Sequence, residues 1–356
     1  MPTPKGATAY IVPTLGQSLR QWQSAADPLG LALGVPSLAI SGGSSGLIAV
    51  GLNVRDPLST LLPMNVVPSS PNWDLWVGVD EAGHRAGLST ANASAVVVGG
   101  IPGSGKSQAV LGLFGQWGRR ADVAFAVLDG KGGGDWEILR ARSWAFEADV
   151  VGVAGLTQAR DLLLDVHSVM QMRLKMLRQV TGVANFWTAF PQQSHPDIPL
   201  VVLVIDECQS VFDGRLHVDK EARRLCGECA NLVEDLVKRG RSAGVLTVLA
   251  TQKPTAESIP TGIRDNAGLR LAFGVKSRAA AEAVLGDEWS SDSGLSPVGA
   301  PVGVAIVGTG VAPLQRVRTP LYTSAAISDA YPQTLAAARP PDLSETYTAR
   351  AQFGEK

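Results

Sequence analysis

Apolar residues in this chain follow two rhythms. Short unbroken runs such as Ala95-Val96-Val97-Val98-Gly99, Leu200-Val201-Val202-Leu203-Val204-Ile205 and the stretch 245–250 read as strands covered on both faces. Between them, apolar side chains return every three or four positions. In 218–239 the stripe is Leu225, Cys229, Leu232, Val233, Leu236 and Val237, the spacing of a helix with one buried face. The two patterns alternate from residue 95 to about residue 322. That alternation predicts an α/β fold built of βαβ units around a mainly parallel central sheet.

The flanks read differently. Residues 1–88 are rich in Gly, Pro and Ser, with short β-like stretches at 47–54 and 75–79, and are expected to form a small β-rich N-terminal module. Residues 89–322 are the expected working domain. Residues 323–356, rich in Ala, Pro and Thr, lose periodicity and are expected to be a flexible C-terminal tail. No repeat with a period of about 20–50 residues appears.

Composition narrows the class. With 356 residues, 45% hydrophobic and 18% charged, the chain has enough apolar material for a large core and does not resemble a disordered protein. A formal net charge of -1 neither supports nor excludes a polyanionic partner. No run reaches the roughly 18 apolar residues of a membrane helix, and no leader pattern opens the chain, so the expected location is the cytoplasm. The three cysteines, Cys208, Cys226 and Cys229, argue against a disulfide framework. Cys226 and Cys229 form a lone C-x-x-C with no second pair, better explained by small buried helix residues than by zinc.

The strand 95–99 runs into Gly100-Ile101-Pro102-Gly103-Ser104-Gly105-Lys106-Ser107 and then a helical pattern over 108–117. This matches the phosphate-binding pattern G-x-x-x-x-G-K-[ST] at every position. Glycines let main-chain N–H groups turn inward around phosphate oxygens, and the following helix offers its positive end to the same anion. The expected ligand is ATP with Mg²⁺. Lys106 reaches the β and γ phosphates in this arrangement, and the Ser107 hydroxyl ligates the metal.

A second apolar strand ends at Asp206-Glu207, which puts two carboxylates at the sheet edge where ligands bind. Asp206 is expected to hold Mg²⁺ through water, and Glu207 to orient or deprotonate the attacking water. The third strand ends in Thr251-Gln252-Lys253-Pro254, where Gln252 is a candidate sensor of the γ phosphate, the alternative being a plain turn. The helix over 218–239 ends in Lys238-Arg239-Gly240-Arg241. Arg241 is a candidate to complete a neighbouring subunit's site. A cation favoured by the helix dipole explains it equally well.

Several runs beyond the phosphate loop resemble the FtsK/SpoIIIE family of DNA translocases, including the conjugative translocases of actinobacteria. They are the long helical pattern 162–182 with Val183-Ala184-Asn185-Phe186, Leu128-Asp129-Gly130-Lys131, and Arg239-Gly240-Arg241-Ser242-Ala243-Gly244. They continue through Leu249-Ala250-Thr251-Gln252-Lys253-Pro254, Pro260-Thr261-Gly262-Ile263-Arg264-Asp265-Asn266 and Phe273-Gly274-Val275-Lys276-Ser277. The resemblance implies a RecA-like P-loop ATPase that assembles as a homo-oligomeric ring, usually a hexamer, and moves double-stranded DNA through its centre. Two features of that family are not matched here, the membrane helices and a winged-helix module that reads DNA sequence. Anchoring and loading are expected from a membrane or DNA-loading partner protein. Two rivals stay open: a protein-export ATPase like those of type VII secretion, and an ATP-binding assembly protein that does not pump.

Candidate DNA contacts are Arg173, Lys175 and Arg178 on the long helix, and Arg264, Arg270, Lys276 and Arg278 beyond the sensor. Ordinary solvated faces explain the first group as well. The segment 259–266 is the stronger candidate for a pore element, through the resemblance. The run Gly130-Lys131-Gly132-Gly133-Gly134 is read as a flexible loop.

Overall fold

The chain starts with an antiparallel sheet of its own. In this computed structural model, which describes residues 2–3, 6–43, 46–255, 258–290 and 294–340, the first strands are β1 (Pro2–Thr3) and β2 (Gly6–Ile11). Helices α1 (Leu19–Ser24) and α2 (Ala26–Leu33) follow, then β3 (Ser37–Gly42) and β4 (Ile48–Asn53), in the sheet order β1-β2-β4-β3. Leu38, Ile40, Ile48 and Val50 are buried against Leu19, Trp22 and Leu29 of the helices. The two helices were not anticipated in a module read as β-rich. Their signal was the Ser18 to Gln21 spacing: the Ser18 hydroxyl accepts the Gln21 N–H while the Gln21 side chain accepts the Ser18 N–H.

A short strand β5 (Pro63–Met64) leads to the hairpin β6 (Asp74–Asp80) and β7 (Arg85–Ser89). Both hairpin strands join the central sheet through β6, which corrects the module boundary expected at residue 88. Gly, Pro and Ser around 54–72 mark a connector rather than a domain edge, because Trp73, Leu75 and Leu88 are buried in the main core.

The central layer then builds in chain order: β8 (Ala95–Gly99), α3 (Lys106–Gly115), β9 (Val123–Asp129), β10 (Ser143–Ala148), α4 (Gly152–Thr181), α5 (Phe186–Ala189) and β11 (Leu200–Asp206). It continues with α6 (Gln209–Phe212), α7 (Lys220–Ala243), β12 (Val245–Thr251), α8 (Thr261–Asn266), β13 (Leu269–Ala272) and α9 (Arg278–Leu285). The last elements are β14 (Val304–Gly308), β15 (Gln315–Arg318), β16 (Leu321–Tyr322) and α10 (Ser324–Ala330). The ten-stranded sheet has the order β10-β9-β11-β12-β8-β13-β14-β15-β6-β7. Neighbours from β10 to β13 pair in parallel, and those from β13 to β7 antiparallel. The structure is thus the α/β architecture that the alternation predicted.

Period-two alternation splits each central strand between two cores. Val96 and Val98 face the layer of α3 and α10 with Val110, Phe114, Trp117 and Tyr331, whereas Ala95 and Val97 face α4, α7 and α9 with Leu163, Val233 and Val284. Strands covered on both sides have no polar face to show, which explains the unbroken apolar runs. Ala326, Ile327, Ala330 and Tyr331 are buried, and the Tyr331 hydroxyl donates to the main-chain oxygen of Leu111 at 2.8 Å. Residues 323–331 are therefore packed rather than loose, a correction to the tail expectation; residues 341–356 of that expected tail lie outside the described residues. Among the described residues no helix is long and apolar enough to cross a membrane.

Candidate nucleotide site

Register brings the site together. Gly99 pairs with Thr251, and Asp129 with Asp206, so the ends of β8, β9, β11 and β12 stop level at one edge of the sheet. The residues that follow each strand, Gly100, Gly130, Glu207 and Gln252, meet there.

The loop from Gly100 to Ser107 is braced on three sides. The Gly100 N–H donates to Thr251 O at 3.2 Å, the Ile101 N–H to Gly274 O at 2.8 Å, and the Gly303 N–H to Ser104 O at 2.9 Å. A side chain at Gly100 would meet Phe273 Cβ and Ser104 Oγ at 2.7 Å, so only glycine allows the loop to lie this close. Gly105 has φ 96°, a left-handed turn that starts α3 with no side chain capping its first amides. Those amides, left without intrahelical partners, give the loop its affinity for an anion. Ser104 Oγ is buried and, among the described residues, has no hydrogen-bond partner. Together these features fit a polyphosphate.

Opposite the loop stand the carboxylates. Lys106 Nζ lies 2.9 Å from Asp206 Oδ1 and 3.9 Å from Glu207 Oε1, with all three side chains nearly inaccessible. Trp136 Nε1 donates to Asp206 Oδ2 at 2.7 Å. Glu207 has φ 47°, a left-handed conformation costly for a residue with a Cβ and held here by its surroundings. Its Oε2 accepts the Gln209 side-chain amide at 2.5 Å and the Gln252 main-chain N–H at 3.3 Å, while Oε1 is buried and, among the described residues, has no hydrogen bond. Gln209 in turn accepts from Thr251 Oγ1 at 2.7 Å. A carboxylate fixed through one oxygen and open at the other suits a group that receives a proton.

Gln252 and Lys253 stand between two clefts. One, of about 620 Å³, runs past Ile101, Pro102, Arg264 and Lys276; the other, of about 470 Å³, is lined by Lys131, Glu207, Gln209 and Arg215. Gln252 is half-buried, at the sheet edge next to Glu207. Asp129, a register neighbour of Asp206, is held above the usual carboxylate range by burial, against the two N–H groups of Lys131 and Gly132 that it accepts.

Arg241 is not in this cluster. It is exposed near the end of α7, four positions ahead of Val245, at the opposite edge of the sheet. A seven-residue strand places it about 20 Å from the phosphate loop of its own chain. Among the described residues its side chain makes no ion pair. A second cation at this helix end is Arg173, fully buried, whose guanidinium donates to the main-chain oxygens of Ala243, Gly244 and Pro199 at 3.1, 3.3 and 2.8 Å. Arg173 is thus a structural residue and no DNA contact. The same correction applies to Arg270, which is buried and donates to Val284 O and Arg264 O at 2.9 and 2.6 Å. Lys175, Arg178 and Lys276 are exposed, and Arg278 pairs with Glu282. Ile259 and Ile263 are buried in the core, leaving Thr261, Asp265 and Asn266 as the outer side of the 259–266 segment. Cys226 and Cys229 are buried in α7, and burial pushes their thiols up to about 11 and about 12.

Sequence reasoning missed Trp136, Gln209 and Gly303. Only Gln209, two positions from Glu207, lay close enough in the chain to be noticed.

No protein-family model matches the chain. It is 25% identical over 293 residues to DNA translocase FtsK of Sporosarcina ureae, covering 77% of this chain and 36% of that protein. With DNA translocase FtsK of Streptococcus pyogenes serotype M1 the identity is again 25% over 293 residues, covering 77% and 35%. The chain therefore spans about a third of the length of these relatives. Among solved structures, the pCW3 conjugation coupling protein TcpA, in a monomer form with ATPγS, matches with TM-score 0.59 at 20% identity over 90% of this chain and 87% of that one. The cytoplasmic domain of the Thermomonospora curvata type VII secretion ATPase EccC matches with TM-score 0.57 at 21% identity, over 81% and 33%. The fold is that of P-loop ATPases, and the resemblance to the FtsK translocases extends over most of the chain.

Proposed function

We propose that this chain is the ATP-hydrolysing motor of a double-stranded DNA translocase, working in the cytoplasm as a homo-oligomeric ring of the hexameric kind. The observation that carries the hydrolytic part is the convergence of Lys106, Asp206 and Glu207 at the amide-lined start of α3. The similarity to proteins named DNA translocase FtsK supports the DNA-moving part.

In this reading the loop from Gly100 to Ser107 binds the phosphates through main-chain N–H groups, and Lys106 moves its ammonium from Asp206 to phosphate oxygens. The Ser107 hydroxyl and, through water, Asp206 would hold Mg²⁺, which would supply neutralisation of charge on the phosphates. Glu207 orients the attacking water and takes its proton on Oε1, the oxygen with no hydrogen bond of its own, as the bond to ADP breaks and inorganic phosphate forms. The Gln252 side chain contacts the γ phosphate, and the strand end it belongs to passes the change to Lys253 and the 259–266 segment. Arg241, too far to act on its own nucleotide, completes the neighbouring copy's site in the ring. Membrane or DNA-loading partners supply anchoring and direction.

The test is the rate of ATP hydrolysis with and without linear duplex DNA. Several-fold stimulation is expected. An unchanged rate counts against translocation, and stimulation by an export-signal peptide in place of DNA would favour protein export. Negative-stain images with an ATP analogue and duplex should show rings around DNA.

A further inference from the structure

Asp206 is gripped by more than Lys106. The glycine-rich segment 130–134 leaves the end of β9 and returns to the core at Trp136, and both its ends are tied to that one residue on the neighbouring strand. At the near end, the Gly130 N–H donates to the main-chain oxygen of Asp206 at 3.0 Å. At the far end, Trp136 Nε1 donates to Asp206 Oδ2 at 2.7 Å. Trp136 is 1% exposed and Asp206 3%. The other carboxylate oxygen, Oδ1, faces Lys106 Nζ at 2.9 Å.

Donors on two different oxygens leave a carboxylate one orientation. The cationic side is met by Oδ1, and a neutral indole holds Oδ2 without adding charge. Between the tied ends, Lys131 through Asp135 are exposed, and Asp129 Oδ1 closes the turn by accepting the Lys131 and Gly132 N–H groups at 3.1 Å each. The loop is therefore an outward-facing element whose two anchors are the main chain and the side chain of the same aspartate.

We propose that Trp136 is a positioning residue for the metal-side carboxylate: its indole N–H fixes Asp206 Oδ2 so that Oδ1 is presented to the cation bound at the phosphate loop. This rests on the reading of Asp206 as the Mg²⁺-side acid. Groups that orient a metal-side carboxylate typically change metal affinity about 10–100-fold when lost. An indole that only filled the core would act on stability and not on the metal.

The experiment uses Trp136→Phe, which keeps an aromatic ring in the hydrophobic core and removes the N–H. Binding of a fluorescent ATP analogue is titrated with Mg²⁺ on the full chain. The Mg²⁺ concentration for half-maximal binding is expected to rise about tenfold, while affinity for the analogue in EDTA is unchanged and the thermal midpoint falls by only a few degrees. An unchanged Mg²⁺ midpoint, or an equal loss with and without Mg²⁺, overturns the inference. If Trp136→Phe does not fold, a benzothienyl analogue of tryptophan at position 136 retains the shape and lacks only the N–H, and the same two outcomes decide. A wild-type chain that binds the analogue with no response to Mg²⁺ would instead overturn the reading of Asp206 itself.

Discussion

The main-chain N–H of Gln252 donates to Glu207 Oε2 at 3.3 Å, so the end of β12 and the proposed catalytic carboxylate are joined directly. Gln209 strengthens the link by donating to the same oxygen at 2.5 Å while accepting from Thr251. Any shift of the β12 end is thereby felt at Glu207, whose left-handed backbone already limits where its carboxylate can go.

Gln209→Ala removes one of the two donors on Oε2. We expect kcat to fall about three- to tenfold with KM for ATP nearly unchanged, because the loss is felt mainly when the water is activated. Steady-state kinetics check this; a rise in KM with kcat intact would show that Gln209 serves nucleotide binding instead.

Lys106→Ala is expected to weaken ATP binding by about 100-fold or more, since it removes the ammonium that faces the buried carboxylates of Asp206 and Glu207. Glu207→Gln should keep binding within about threefold and lower hydrolysis by at least about 100-fold. Equilibrium binding and turnover measured side by side separate the two, and normal hydrolysis by Glu207→Gln would refute the base assignment.

Arg241→Ala and Glu207→Gln are each expected to be inactive alone. Mixed, they should regain part of the wild-type ATPase rate, because a mixed ring contains interfaces with both an intact Glu207 and an intact Arg241. Absence of any rescue at every mixing ratio would remove Arg241 from the site of the neighbouring copy.

Arg173→Leu should be costly where Arg241→Ala is not. The first strips the guanidinium from the buried carbonyls of Ala243 and Pro199, while Gly244 O keeps the Val201 N–H, at about 2–4 kcal/mol. The second alters an exposed side chain and should stay within about 0.5 kcal/mol. Chemical denaturation of both variants measures the contrast.

Burial holds the Glu81 carboxyl above the usual carboxylate range, against the Arg316 guanidinium 2.9 Å away and with Asp56, Asp80 and Asp27 adding repulsion. A carboxyl whose folded pKa is raised lowers stability when ionised, and that penalty disappears as pH falls through the folded value. Glu81→Gln, which can still accept from Arg316, should therefore melt higher than wild type at about pH 8, with the gap closing by about pH 4. A variant less stable than wild type at the higher pH would contradict this sign.

Local signals were legible before any coordinates. The phosphate loop could be read because its chemistry lies in eight consecutive residues, and β8, β11 and β12 because strands buried on both faces leave unbroken apolar runs. Asp206, Glu207 and Gln252 could be picked out because each follows such a run. The helical N-terminal segment was hidden among turn-forming residues, and the cations on α4 and β13 looked alike in sequence.

What only the tertiary structure decided depends on contacts between residues far apart in the chain. Trp136 reaches Asp206 across 70 positions, and Arg173 reaches Ala243 across the same separation. Gly303 braces Ser104 from the turn that precedes β14, two strands away from β8 in the sheet. Sequence periodicity reports which face of an element is buried, since that depends on neighbours three or four positions away. Which buried donor meets which acceptor follows from strand order and register, and no local pattern carries that information. Whether Arg173 meets solvent or the end of α7 was therefore settled by how α4 and α7 pack, and by nothing in the residues beside it.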